Sequence, residues 1–119
     1  MGLAVAVVGL GYWGPNLLRN LYETRKCDRL IACDMDAGKL DRIRMRYPTI
    51  EITQDIDAVL ADDSVDALVV ATPVSTHYSL ASAALEHGKH VFVEKPMTAT
   101  AEEGEQLVSL AKERDLRLM

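Results

Sequence analysis

Six apolar residues, Leu3-Ala4-Val5-Ala6-Val7-Val8, run straight into Gly9-Leu10-Gly11-Tyr12-Trp13-Gly14. A short apolar run without polar alternation suits a strand buried on both faces, the situation of parallel sheets covered by helices. Three glycines at this spacing, directly after such a strand, each have a physical task. Gly9 permits a tight turn, and Gly11 lets the backbone approach a pyrophosphate where a Cβ would collide. Gly14 lets a following helix pack close to the strand. Pro15 then falls in the first helical turn, where a missing N–H costs nothing. The helix that opens here turns its free N–H groups and positive dipole end toward the loop, an arrangement suited to phosphate.

The rest of the chain repeats this alternation. Apolar runs predict strands at Leu3–Val8, Leu30–Cys33, Ile50–Ile52, Ala67–Val70 and His90–Val93, and Leu116–Met119 reads as the start of a sixth. Helical spacing is present over Asn16–Tyr22, Ala37–Arg46, Asp55–Leu60 and Ser75–Glu86. Thr100-Ala101-Glu102-Glu103 fits a reciprocal capping box opening a last helix that runs to about Arg114. Strict alternation predicts an α/β, three-layer Rossmann fold: a doubly wound parallel sheet with right-handed crossovers. Residues 1–119 form one domain in this reading, and the clipped last strand suggests part of a larger enzyme.

A net charge of −5 argues against nucleic acid and anionic membrane as partners, since both select basic surfaces. The first apolar run is too short for a secretory signal, and no stretch reaches a membrane-spanning length. Cys27 and Cys33 form no Cys-x-x-Cys pair and have no histidine at metal spacing. No metal is expected, and two reduced thiols point to the cytoplasm.

Asp34 lies at the end of the second predicted strand, 20 residues after Gly14. That is the distance expected for a carboxylate that accepts hydrogen bonds from an adenosine ribose. It repels a 2′-phosphate, and Met35, Asp36 and Ala37 follow it with no Lys or Arg, so NAD is favoured over NADP. Asp36 is the better helix cap of the two acids. Tyr12, Trp13 and Met35 are candidates to wall the dinucleotide site, although Tyr12 and Trp13 suit packing against a neighbouring loop or domain equally well.

Ala71-Thr72-Pro73 and His77 follow the fourth strand, and Glu94-Lys95-Pro96 follows the fifth. Both loops belong to the carboxyl edge of the sheet, where open α/β sheets bind ligands. A lysine beside a nicotinamide can exchange a proton or hydrogen bond with a reacting hydroxyl. Taken alone, Lys95 reads more readily as an exposed structural lysine.

With these segments the whole chain resembles the glucose–fructose oxidoreductase / inositol dehydrogenase / MocA family. Gly9-Leu10-Gly11-Tyr12-Trp13-Gly14, Ala71-Thr72-Pro73 with His77, and above all Glu94-Lys95-Pro96 carry the resemblance. It implies an NAD(P)-dependent oxidoreductase that oxidises a secondary hydroxyl of a sugar, inositol or sugar nucleotide, or reduces the ketone. It implies Lys95 as the catalytic residue, with Thr72, Pro73, His77, Glu94 and Lys95 along the cofactor. It also implies a second α+β domain, absent from this chain, that supplies the substrate pocket and the contact of a homo-oligomer. A non-catalytic NAD-sensing module is the alternative, and a flavin- or S-adenosylmethionine-binding domain a third. Neither needs Glu94-Lys95-Pro96.

Overall fold

The computed structural model describes residues 2–119. Five strands, β1 (Leu3–Val8), β2 (Cys27–Cys33), β3 (Glu51–Thr53), β4 (Ala67–Val70) and β5 (His90–Val93), form one sheet in the order β3-β2-β1-β4-β5. Every pairing is parallel. Helices α1 (Gly14–Thr24) and α2 (Ala37–Arg46) lie on one face; α3 (Ile56–Ala61), α4 (His77–Glu86) and α5 (Ala101–Glu113) lie on the other. The tail reaches the outer edge of β5 as a single parallel bridge, Leu118 to Val91, rather than as a strand. Met119 N–H donates to the Val91 carbonyl at 2.9 Å, and Val93 N–H donates to the Met119 carbonyl at 2.8 Å.

The unbroken apolar character of β1 follows from its central place. Val5 and Val7 pack with Leu18, Leu40 and Ile43, whereas Ala6 and Val8 pack with Ala81, Leu85 and Leu107 on the opposite face. Strand residues point alternately to the two faces, so a strand covered on both sides has no position left for a polar side chain.

Three elements start two or more residues away from the sequence expectation. Strand β2 begins at Cys27, three residues before the apolar run. Arg29 extends it, because its guanidinium joins Glu51 on β3 at 2.6 and 2.9 Å, and Asp62 at 2.8 Å. Charged residues hide a strand from a search for apolar runs. Helix α1 begins at Gly14 rather than Asn16, its first turn being glycine and proline with no apolar signal. The segment from Ser75 does not open as α-helix: Val74–Thr76 is a 3-10 turn, and α4 begins at His77.

Capping behaves as expected at α2, where Asp36 Oδ1 accepts from the Gly38 and Lys39 amides at 2.8 and 3.4 Å. At α5 the box is half made. Thr100 Oγ1 accepts from Glu103 N–H at 3.2 Å, but no return bond from the Glu103 carboxylate is present. At the amino edge of the sheet, Lys89 is 1% exposed. Its ammonium donates to the Asp62 and Val65 carbonyls at 2.7 and 2.9 Å, which satisfies a buried charge.

Candidate functional site

A cleft of about 780 Å³ opens along the carboxyl edge of the sheet. Gly9, Gly11, Tyr12 and Trp13 of the glycine loop, Asp34 and Met35, Ala71–Val74, His77 and Glu94-Lys95-Pro96 all line it. The structure therefore brings together the residues that the sequence singled out for the site, Gly14 excepted, from four strand-end loops spread over 88 positions of chain, from Gly9 to Pro96. Strand order explains this. β1 and β4 are adjacent and the crevice forms where their connections leave in opposite directions, with β2 and β5 flanking them.

The glycines divide by cause. Gly9 has φ +95°, and a Cβ there would stand 2.8 Å from the Ala71 carbonyl carbon. A Cβ on Gly14 would stand 1.8 Å from the Gly9 carbonyl oxygen, so close helix–strand packing demands this glycine. Gly11 is different. Its φ is not positive, and a Cβ there would meet no protein atom within 4 Å. Nothing inside the protein requires glycine at 11; a cradle left open for a ligand does. Helix α1 starts beside it with no side-chain cap, its N-cap being Trp13, so its first amides have no protein partner from a cap. The residues present thus fit a dinucleotide pyrophosphate.

Asp34 is more constrained than the sequence suggests. One carboxylate oxygen accepts from Leu10 N–H at 2.7 Å and the other from Asp36 N–H at 2.8 Å. The first bond ties the glycine loop to the end of β2. A carboxylate has about four acceptor sites, so two remain for ribose hydroxyls. Beside it, Cys33 is buried, and burial chiefly, with Asp34 and Asp55 adding, pushes its thiol up to about 11.

Sequence reasoning passed over Lys39 and Gln54, which also line the cleft near Asp34. Gln54 donates to the Met35 carbonyl at 2.8 Å. Lys39 sits in the first turn of α2, five positions past Asp34, beyond the immediate neighbours inspected for a basic residue. Helical geometry brings it back to the strand end.

Tyr12 and Trp13 stand at the mouth of the cleft, 82% and 50% exposed, in an edge-to-face pair with centroids 5.1 Å apart. Met35 is exposed as well. Lys95 is exposed, and the ion pairs among the described residues all involve arginines, leaving its ammonium unpaired. The Lys95–Pro96 peptide is cis.

His77 needs a correction. It lies at the expected edge, but it is 2% exposed. Nδ1 lies 2.8 Å from the Pro96 carbonyl and Nε2 lies 2.8 Å from the Thr72 carbonyl. Both ring nitrogens face backbone carbonyl oxygens inside the protein, so His77 turns no polar atom toward a cofactor.

Comparison with known proteins agrees with this geometry. Residues 3–119 match the family described as oxidoreductase family, NAD-binding Rossmann fold. The scyllo-inositol 2-dehydrogenase (NADP(+)) IolW of Bacillus subtilis is 36% identical over 98% of this chain and 32% of its own length. The NAD(+) scyllo-inositol 2-dehydrogenase of the same organism is 33% identical over 91% of this chain and 32% of its own. Among solved structures, GenD2 from gentamicin A biosynthesis, in complex with NAD, superposes with a TM-score of 0.91 at 34% identity, over 98% of this chain and 33% of that one. WlbA dehydrogenase of Bordetella pertussis, in complex with NADH and UDP-GlcNAcA, gives 0.86 at 26% identity, over 98% and 35%. The chain spans about a third of the length of these relatives. It belongs to the GFO_IDH_MocA oxidoreductase family and has the fold of that family's NAD-binding Rossmann domain.

Proposed function

We propose that this chain is the cofactor-holding part of a dehydrogenase that interconverts a secondary hydroxyl and a ketone on a sugar, inositol or sugar nucleotide. The observation that carries the proposal is the placement of Lys95 in the same cleft as the Gly11 cradle and Asp34. Relatives named for inositol, and one whose structure contains UDP-GlcNAcA, support the substrate class.

Gly11 and the start of α1 would hold the pyrophosphate, and Asp34 the adenosine ribose. Thr72, Pro73 and Glu94 line the nicotinamide end. The bound nicotinamide supplies a two-electron hydride acceptor or donor. Lys95 handles the accompanying proton at Nζ. In oxidation a neutral Nζ would take the hydroxyl proton, and in reduction a protonated Nζ would give one to the carbonyl oxygen. NAD is preferred, because Asp34 repels a 2′-phosphate. Lys39 moderates that preference, in keeping with relatives of both cofactor types.

A substrate-binding α+β domain and the oligomer contact belong to a longer protein in this reading. Two free thiols support a cytoplasmic setting, and no helix among the described residues is long and apolar enough to cross a membrane. Trp13 is the chain's single tryptophan and lies in the cleft wall, so NADH titration reports directly. Quenching with energy transfer to reduced nicotinamide is expected, weaker with NADPH. Absence of binding by both at about millimolar concentration, where Kd corresponds to roughly −4 kcal/mol, overturns the proposal.

A further inference from the structure

His77 is the first residue of α4, and its ring spans the gap between the loops that follow β4 and β5. We propose that His77 is a positioning residue for Lys95, a clasp that sets the nicotinamide end of the cleft; the inference rests on the function proposed above. Along the β5 loop, the last ladder bond is Glu94 N–H to the Val70 carbonyl at 2.9 Å. Pro96 has no N–H to give. Between that ladder bond and Thr98, the contact of the Pro96 carbonyl with His77, a hydrogen bond when the ring proton is on Nδ1, is the one polar tie of the loop among the described residues. Lys95 is therefore placed by two points, one on the sheet and one on His77.

The second nitrogen faces the β4 loop. Its carbonyl partner, Thr72, is fixed further by the Thr72 and Thr76 hydroxyls, 2.6 Å apart. A neutral imidazole has one N–H, so its two tautomers favour different loops: a proton on Nδ1 ties Pro96, a proton on Nε2 ties Thr72. A side chain at the root of a helix, buried to 2%, thereby transmits the position of the β4 loop to that of the β5 loop.

ADP-ribose and NADH test the clasp, because they share the adenosine and pyrophosphate but differ in the nicotinamide. In the chain as it stands, His77→Leu is expected to weaken NADH about fivefold to tenfold, the equivalent of one net hydrogen bond, with ADP-ribose affinity changed less than about twofold. His77→Asn keeps an N–H donor and is expected to recover part of the NADH affinity. Equal weakening of both ligands, or unchanged NADH affinity, overturns the clasp. A measurement on the unaltered chain needs no variant to fold. The 15N resonances of the His77 ring are expected to shift with NADH and to stay in place with ADP-ribose. Equal shifts with both ligands overturn the placement of nicotinamide near Lys95, and with it the proposed function. Distinct shifts without any loss in His77→Leu or His77→Asn overturn the clasp alone.

Discussion

Gly11 and Gly14 are the same residue type three positions apart, yet they answer to different constraints. Replacing Gly14 with alanine forces a methyl to 1.8 Å from the Gly9 carbonyl oxygen, so the α1–β1 junction must shift. A loss of about 3 kcal/mol is expected from the overpacking, visible as a lower urea midpoint. Gly11→Ala meets nothing within 4 Å, and its urea midpoint is expected to stay within about 0.5 kcal/mol of the parent while NADH affinity falls. Equal destabilisation by the two substitutions contradicts the division. Asp34→Ala is expected to weaken NAD by about 1–3 kcal/mol and to narrow the gap to NADP, measured by paired titrations. It also removes the Leu10 tie, so the comparison is made at a temperature where both proteins are folded. Lys95→Met, made in the full-length dehydrogenase proposed above, is expected to lower kcat about 100-fold or more and to spare cofactor affinity. At this scale the sequence revealed which residues gather in the cleft, since spacing after a strand fixes location. It did not reveal how His77 and Asp34 spend their polar atoms, because those partners lie 19 and 24 residues away along the chain.

Among the elements, legibility followed apolar content. β1, β4, β5 and α2 sit at the boundaries expected from the sequence, each marked by buried residues or an Asp cap. β2 extends beyond its apolar run because Asp28 and Arg29 at its start are charged, and α4 is shorter than its periodicity implies because Pro73 and the Thr76 contacts impose a 3-10 turn. The cap of α5 makes an element-scale prediction. Thr100→Ala removes the acceptor for Glu103 N–H and is expected to cost about 1 kcal/mol of unfolding free energy in urea titration. A Glu103→Ala change is expected to cost less, as the return half of the box is not formed.

For the molecule as a whole, the two edges of the sheet carry different chemistry. The carboxyl edge holds the ligand cleft, while the amino edge holds Lys89 on two carbonyls and Arg29 on Glu51 and Asp62. Hydrogen bonds from Ser64 and then Arg29 bring Asp62 down to about 2, and Arg29 lowers Glu51 as well. Carboxylates lowered in the folded state contribute stability that is complete above their unfolded values and is lost as pH falls. The loss is expected between about pH 4 and 2, and Arg29→Gln is expected to flatten it in urea midpoints measured across that range. The effect is small, since these side chains are a third to a half exposed. The three-layer plan itself was fully legible, because strict alternation of strand and helix leaves few other ways to bury every apolar face.

The open space at Gly11 has a bearing on ancestry. A descendant of this chain that stopped binding dinucleotides would still need Gly9 and Gly14 in order to fold, and would keep them. Gly11 would be released to drift. In a diverged copy of this domain, loss of the middle glycine with Gly9 and Gly14 kept is the expected mark of a nucleotide site given up while the architecture stays.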